Sequence, residues 1–171
     1  MLDKRKFYIN GQWVEPSTKN DFDVINPSDE TVCAVISLGS QADTDAAVAA
    51  ARSAFPSWSI STKAERIVLL ERLYAIYERR MDEMAEVISM EMGAPIDFAK
   101  SSQAPSGTEA IEDFLNQLRK FEFEKQLDDS DNQLIYEPKG VCALITPWNW
   151  PISQVALKVI PAIAAGCSVV L

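Results

Sequence analysis

The stretch Val141-Cys-Ala-Leu-Ile-Thr-Pro-Trp-Asn-Trp-Pro151 decides the fold. It begins with Val141–Ile145, an apolar run typical of a buried strand. Thr146-Pro147 ends this run. Pro151 suits the first turn of a helix, because its missing N–H would have no intrahelical partner there. The pattern therefore predicts strand, turn and helix. It places the Asn149 amide at the carboxyl end of the strand, where open α/β sheets bind ligands.

The residues that follow complete a βαβ unit. A helix is predicted from Pro151 to about Ala165, and Gly166 separates it from a second apolar strand, Cys167–Leu171. Continuous apolar strands are typical of a parallel sheet that is buried on both faces. The sequence therefore predicts an α/β fold.

The preceding 120 residues predict short strands and then helices. Asn10-Gly11, between Phe7–Ile9 and Trp13-Val14, is a strong hairpin signal, and further strands are predicted at 22–27 and 31–36. Three helices are predicted from capping patterns. The first begins at Ser40 and ends at Phe55, because Pro56 stops it. The second begins at Thr62 and ends at Gly93, and a break into two helices near Arg79-Arg80 is an alternative. The third begins at Ser106.

Residues 121–137 have a different pattern. Phe121–Lys125 alternates apolar and charged side chains as a half-exposed strand does, a polar turn follows, and Gln133–Glu137 returns as a strand. An isolated two-stranded hairpin is marginally stable, and edge strands readily pair with another subunit. We expect a ribbon that packs on a partner; a plain surface hairpin is the alternative.

Charge and composition exclude several classes of protein. The 171 residues, 47% of them hydrophobic, suffice for one domain with a core. The net charge of −9 argues against binding to nucleic acid or to an anionic membrane surface. No run reaches the roughly 18 apolar residues of a membrane-spanning helix, and the N-terminus has no apolar signal core.

Histidine and cysteine usage narrows the chemistry. The sequence has no histidine, which excludes a His-based triad and a His-ligated metal site, and no metal site is predicted. Cys33, Cys142 and Cys167 are an odd number without metal-binding spacing. Cys142 and Cys167 lie in apolar runs, where cysteine is usually a small buried hydrophobe. We expect a protein of the reducing cytoplasm.

Asn149 is the residue whose position indicates chemistry. A neutral amide donor beside the N–H groups of a helix start can stabilise an oxyanion on a carbonyl. Asparagine also caps helices well, so a cap for the helix at Pro151 is the alternative, and the local pattern alone favours it. The two flanking tryptophans are, by themselves, more typical of packing than of a pocket.

The residues in combination closely resemble the aldehyde dehydrogenase superfamily. Ile145–Pro151, followed by Lys158, Pro161–Gly166 and Val169–Leu171, carries the resemblance. Weaker matches precede it in the order of the family, and the resemblance covers essentially the whole chain. These matches are Phe7–Trp13, Val24–Pro27, Ala46–Phe55 with Trp58, and Glu91–Pro95.

The resemblance implies a role for each matched residue. Asn149 matches the side-chain donor to the oxyanion that forms when a cysteine thiolate attacks the aldehyde. Lys158 matches a lysine often placed near the catalytic centre; a solvent lysine is the alternative. The remaining matches are Ile145, Thr146, Pro147 and Trp148, lining the ribose and nicotinamide side of NAD or NADP, and Trp150, Gln154 and Leu157, walling the substrate tunnel.

The resemblance also implies a domain organisation. Residues 1–120 would be the N-terminal part of a Rossmann-like dinucleotide-binding domain. Residues 121–137 would be a β-ribbon oligomerisation arm that joins a homodimer or homotetramer. Residues 138–171 would be the first βαβ unit of the dinucleotide-binding domain, truncated before the catalytic domain.

The reaction implied is oxidation of an aldehyde to a carboxylic acid with NAD(P)+, through a cysteine thiohemiacetal and thioester. The nucleophilic cysteine, the general-base glutamate and a Lys-Pro-Ser segment of the family lie beyond Leu171, so the 171-residue chain alone is predicted to be inactive. A naturally truncated, non-catalytic relative that binds a full-length subunit through 121–137 is the competing hypothesis. A nucleotide-binding domain unrelated to aldehydes is a third, which the ribbon and the Pro-Trp-Asn core argue against.

Overall fold

The computed structural model describes residues 1–128 and 130–171, which form a mixed α/β fold. Within them, the strands are β1 Leu2–Lys4, β2 Phe7–Ile9, β3 Gln12–Val14, β4 Asp21–Ile25, β5 Val32–Ser37, β6 Glu124–Gln126, β7 Gln133–Ile135, β8 Val141–Ala143 and β9 Ser168–Val170. The helices are α1 Gln41–Ser59, α2 Lys63–Arg79, α3 Met81–Met92, α4 Ile96–Phe98, α5 Pro105–Lys120 and α6 Pro151–Ala164. No helix of these described ranges is long and apolar enough to cross a membrane.

The predicted N-terminal hairpin is confirmed. β2 and β3 pair antiparallel around Asn10 and Gly11, whose φ angles are 52° and 76°. Asparagine and glycine tolerate this left-handed conformation, which matches the twist of the flanking strands. The other two predicted strands pair with each other as β4 and β5, and β1 joins β5 in parallel.

Two of the three predicted helix starts are confirmed by capping boxes. Ser40 with Asp43 begins α1 and Thr62 with Glu65 begins α2, and within each pair both reciprocal hydrogen bonds are present. Asp43 also accepts the Ser17 N–H at 2.7 Å. Bonds from the backbone N–H groups of Ser17 and Ser40 lower the pKa of Asp43 to about 2, so this carboxylate stays charged and holds the preceding loop on α1.

The predicted stop of the first helix at Phe55 is wrong. α1 continues through Pro56 to Ser59. A proline near the end of a helix removes one backbone donor, and two serine hydroxyls add bonds in the same turns. The Ser57 hydroxyl donates to the Ala54 carbonyl at 3.0 Å, and the Ser59 hydroxyl donates to the Pro56 carbonyl at 3.2 Å.

The predicted capping pattern at Ser106 is also wrong, because the chain is already helical there. α4 leads into a π-helical turn, Ala99–Gln103, closed by a 2.9 Å bond from the Ala104 N–H to the Ala99 carbonyl. α5 then begins at Pro105 without a side-chain cap, since proline suits the first position of a helix.

The middle of the helical region follows the sequence signals. The break near Arg79-Arg80 is confirmed, because α2 ends at Arg79 and α3 begins at Met81. Gly93 ends α3 with a φ of 79°. A Cβ at this position would lie 2.6 Å from Pro27 Cγ, so glycine is required both by the backbone conformation and by the approach of the β4–β5 connection.

The C-terminal strands and the ribbon pair as the patterns indicate. β8 and β9 pair in parallel, with α6 as their crossover. β8 ends at Ala143, two residues before the predicted end at Ile145. β6 and β7 pair antiparallel. Two assignments remain predictions. One is that the β8–β9 sheet belongs to a dinucleotide-binding domain, and the other is that the β6–β7 hairpin is an oligomerisation arm.

The main core joins α2, α5 and α6. Burial of each large aliphatic side chain contributes about 1.5–3 kcal/mol. A second cluster, four alanines and one isoleucine, lies between α3 and the π-helical turn. The buried residues are Leu70, Ala110, Ile111, Leu115, Leu118, Ala156, Ile160 and Ala164 in the first cluster, and Ala85, Ile88, Ala94, Ala99 and Ala104 in the second.

Arg66 is only 5% exposed and forms no salt bridge within the described part of the chain. Its guanidinium donates to the Ser59 carbonyl at 2.9 Å, the Ser61 hydroxyl at 2.9 Å and the Ala164 carbonyl at 3.3 Å. It also lies over the Phe123 ring, 5.4 Å from the centroid. Burial lowers the pKa of Arg66. The C-terminal ends of α1 and α6 oppose that shift, because their dipoles favour a cation.

We expect Arg66→Met to lower the free energy of unfolding by about 1–3 kcal/mol, because it leaves the Ser59 and Ala164 carbonyls without their donor. Urea denaturation followed by circular dichroism measures this change. Arg72→Met, on the exposed side of α2, is the matched control and is expected to stay within about 0.5 kcal/mol of the wild type. Equal effects of the two substitutions would contradict the role given to Arg66.

Candidate active site at the start of helix α6

The candidate site is the loop that joins β8 to α6. The Leu144 N–H donates to the Val170 carbonyl at 2.8 Å, which is the last bond that holds the chain to the β8–β9 sheet. The loop then runs over 145–149, beyond the carboxyl ends of both parallel strands. The first N–H groups of α6 follow directly and have no intrahelical acceptor. The end of the sheet and the start of the helix thus face the same region.

The side chains of this loop are turned to solvent. Ile145 is 87% exposed and Trp148 is 80% exposed. Pro147 and Asn149 are exposed as well, whereas Thr146 is half-buried. Two large apolar side chains are thus exposed in the same loop that carries Asn149.

The structure contradicts the interpretation of Asn149 as a helix cap. The N-cap of α6 is Trp150, and no side chain caps the helix. The first helical bond runs from the Gln154 N–H to the Trp150 carbonyl at 2.9 Å, which places Asn149 outside the helix. The exposed Asn149 carboxamide is therefore available to a bound group.

The other predicted residues lie along the first turns of α6. Gln154 follows Trp150 by four residues, and Leu157 and Lys158 follow Gln154 by three and four, the spacings of neighbouring side chains on a helix. Lys158 is half-buried and its Nζ donates to Gln154 Oε1 at 3.1 Å. The Lys158 ammonium group is thus bonded to the preceding turn of α6, and its place near a catalytic centre stays a prediction.

Sequence reasoning missed Phe98, which packs edge-on against Trp150. The ring centroids are 5.7 Å apart and the ring planes make an angle of 81°. Phe98 is the last residue of α4, immediately before the π-helical turn. π-Helical turns frequently occur at functional sites. The signal in the sequence is the Gly93–Pro95 break, which makes the chain restart a helix at Ile96.

None of the three cysteines lies in the loop. The Cys33 thiol donates to the Val24 carbonyl at 3.2 Å in the first sheet, and Cys167 is buried as predicted. Cys142 is half-buried; burial, and then the neighbouring Cys167 thiol, raise its pKa. A thiol that stays protonated is a poor nucleophile. Among residues 1–128 and 130–171, no group of three or more His, Cys, Asp or Glu side chains could hold a metal ion.

We expect Phe98→Ala to expose Trp150 to water, because it removes the ring that covers one edge of the indole. The tryptophan emission maximum should move to longer wavelength, and acrylamide quenching should increase. The same substitution in a Trp150→Phe background is the control, and there both changes should vanish. If the shift persists in that background, Phe98 does not cover Trp150.

Comparison with known proteins identifies the family. The aldehyde dehydrogenase family matches residues 13–171. The chain belongs to this family. The 3-succinoylsemialdehyde-pyridine dehydrogenase of a Pseudomonas species is 46% identical over 172 residues, which cover 100% of this chain and 36% of that protein. The chain therefore corresponds to the N-terminal portion of its relatives and spans about 36% of their length.

Solved structures agree with this assignment. An aldehyde dehydrogenase from Bartonella henselae is 50% identical and superposes with a TM-score of 0.97, covering 99% of this chain and 36% of that one. Aldehyde dehydrogenase C from Pseudomonas syringae, solved with NAD+ and octanal, is 43% identical with a TM-score of 0.93, covering 96% and 34% of the two chains. The family predicted from the sequence is confirmed.

Proposed function

We propose that this chain forms the oxyanion-donor and nicotinamide-side part of an NAD(P)+-dependent dehydrogenase that oxidises aldehydes to carboxylic acids. The observation that carries the proposal is the exposed Asn149 carboxamide at the carboxyl end of β8, in a chain of the aldehyde dehydrogenase family. Residues 1–120 and 138–171 would belong to the dinucleotide-binding domain, and 121–137 would be its oligomerisation arm.

The role proposed for Asn149 follows from where charge develops. When a nucleophile adds to an aldehyde carbonyl, the carbonyl oxygen becomes negative. A carboxamide N–H fixed beside this oxygen stabilises it, and the positive end of the α6 dipole acts in the same direction. Because no cysteine of this chain lies in the loop, the attacking thiolate would come from a part of the enzyme outside these 171 residues.

The loop residues fit a bound dinucleotide. Residues 141–158 contain no aspartate or glutamate, so an anionic cofactor would meet no like charge there despite the net charge of −9. The exposed surfaces of Ile145 and Trp148 would lie against the nicotinamide and its ribose, with Thr146 and Pro147 supplying backbone. NAD(P)+ accepts a hydride when bound. The relative from Pseudomonas syringae was solved with NAD+.

The substrate would lie along the side of α6 that begins at Trp150. Trp150, Gln154 and Leu157 would wall the aldehyde path, and the bond from Lys158 to Gln154 would fix the amide that faces it. This wall is mostly apolar with one amide. Octanal, an unbranched apolar aldehyde, is bound by the Pseudomonas syringae relative.

The decisive test needs a complete enzyme. This chain would replace the matching part of the 3-succinoylsemialdehyde-pyridine dehydrogenase of Pseudomonas, to which it is 46% identical. We expect the chimera to reduce NAD+ with an aldehyde. Asn149→Ala should lower kcat by ~10²–10³, the effect of a lost oxyanion donor, while the Kd for NAD+ stays unchanged.

Asn116→Ala, an exposed asparagine on α5, is the matched control and should leave kcat unchanged. A loss confined to NAD+ affinity in Asn149→Ala would contradict the assigned role. The 171-residue chain by itself, assayed with NAD+ and a panel of aldehydes, should form no NADH. NADH formation by the isolated chain would contradict the proposal that the attacking thiolate comes from outside these 171 residues.

The ribbon would join subunits of a homo-oligomer. Its base is fixed, because Phe121 packs edge-on against Phe123 and Tyr136 at centroid distances of 4.8 and 5.2 Å, and the Tyr136 N–H donates to the Phe123 carbonyl at 2.8 Å. Beyond this base, Leu134 and Ile135 leave apolar surface in solvent. A fixed base and an apolar strand surface suit pairing with a partner.

We expect Ile135→Asp to dissociate the chimera into smaller species, since it would place a carboxylate in the subunit contact. Sedimentation velocity measures the change. Val68→Asp on α2 is the matched control, because Val68 is 54% and Ile135 is 55% exposed. If both variants sediment like the unmodified chimera, the ribbon does not join the subunits.

A further inference from the structure

Tyr77 of α2 bonds to the segment that carries Phe98. Its hydroxyl donates to the Ala104 carbonyl at 2.8 Å, at the point where the π-helical turn joins α5. Burial raises the pKa of Tyr77 to about 12, so the phenol stays protonated and remains a donor at neutral pH. The roles proposed above make no use of this bond.

Ala104 is the residue at which the helical winding changes. Its N–H donates to the Ala99 carbonyl, five residues back, at 2.9 Å, whereas its carbonyl accepts the Gly107 N–H, three residues on, at 3.1 Å. Ala99 and Ala104 are both fully buried. A change of winding disturbs the regular pairing of backbone groups, and donors from side chains then stabilise it. The Tyr77 hydroxyl is such a donor, and it comes from a different helix.

The position of Phe98 depends on this junction. Ala99 follows Phe98 directly, and its carbonyl is the one that the Ala104 N–H binds. The Phe98 ring in turn packs edge-on against Trp150, with the centroids 5.7 Å apart. The hydroxyl bound to Ala104 therefore fixes, across one turn of helix, the ring that covers Trp150.

The Tyr77 ring also meets the segment that carries Trp150. A Cβ at Gly107 would lie 2.8 Å from Tyr77 Cζ and 3.0 Å from Ile152 Cγ1, so α2 and the first turn of α6 both lie directly against this glycine. Ile152 is two residues from Trp150. Phe98 and Trp150 are thus both tied to the place where Tyr77 contacts α5.

We propose that Tyr77 is a positioning residue that holds Phe98 against Trp150, and that the fixed pair of rings selects unbranched over branched aldehydes. The inference rests on the proposed function, in which Trp150 walls the aldehyde path. Two rings held edge-on keep the path at one width, and a branch beside the carbonyl makes an aldehyde wider than a straight chain. Tyr77 acts only through the backbone of Ala104 and Gly107.

The first measurement needs no enzymatic activity. Tyr77→Phe keeps the ring over Gly107 and removes only the hydroxyl, and circular dichroism verifies the fold of the 171-residue variant. We expect acrylamide quenching of the tryptophan emission to increase, as in Phe98→Ala. In a Phe98→Ala background, Tyr77→Phe should add nothing, because the ring that it positions is absent. Tyr74→Phe is the matched control, since Tyr74 is also half-buried and lies one turn earlier on α2.

The second measurement uses the chimera described above, with hexanal as the unbranched and 2-ethylhexanal as the branched aldehyde. Hydrophobic sites distinguish substrates that differ by one methylene by about 10–200-fold. Tyr77→Phe should lower the ratio of kcat/KM for hexanal to that for 2-ethylhexanal at least threefold, through KM. The kcat with hexanal and the Kd for NAD+ should stay unchanged. A loss of folded enzyme would reduce both rates equally and leave the ratio as it was, and Tyr74→Phe should also leave it as it was.

Two outcomes would overturn the proposal. One is quenching that Tyr77→Phe leaves unchanged, or increases equally with and without the Phe98 ring. The other is an active chimera whose aldehyde ratio is the same in Tyr77→Phe and in the unmodified protein. A chimera that oxidises no aldehyde, together with the expected quenching, would count against the proposed function and support the positioning of Phe98 by Tyr77.

Discussion

A single buried cation organises this molecule. The Arg66 guanidinium binds the last carbonyl groups of α1 and α6 and lies over Phe123 at the base of the ribbon. It also determines the residue that follows α6. At Gly166, where φ is 84°, a Cβ would lie 2.5 Å from the guanidinium, so only glycine lets the chain turn from α6 into β9. The position of β9, and with it the edge on which the Asn149 loop sits, depends on this contact.

Features that depend on neighbouring residues were predictable from the sequence. The Asn10-Gly11 turn, the capping boxes at Ser40 and Thr62 and the left-handed Gly93 each involve groups a few residues apart. The Asn149 loop was predictable for the same reason, since an apolar strand before it and Pro151 after it define its ends. The contact between Phe98 and Trp150 joins distant segments, and the Gly93–Pro95 break indicates only that a new helix begins before Phe98, not what Phe98 contacts.

The wrong boundaries have a common physical origin. Proline and serine patterns report local preference, but the energy of a helix end also includes the bonds that neighbouring turns add. At Pro56, serine hydroxyls supply such bonds, and at Ser106 the preceding π-helical turn makes a cap unnecessary. Asn149, although a good capping residue, likewise does not cap α6. The N-cap position goes to Trp150, which leaves the carboxamide exposed.

The π-helical turn at Ala99–Gln103 ties the position of Phe98 to the length of the chain. Such a turn holds one residue more than a regular helix needs. Loss of that residue in a homologue would restore α-helical winding and rotate the preceding segment by about 100°. Phe98 would then swing away from Trp150 with no exchange of any amino acid beside it. A change of length here would thus reshape the surface beside Trp150.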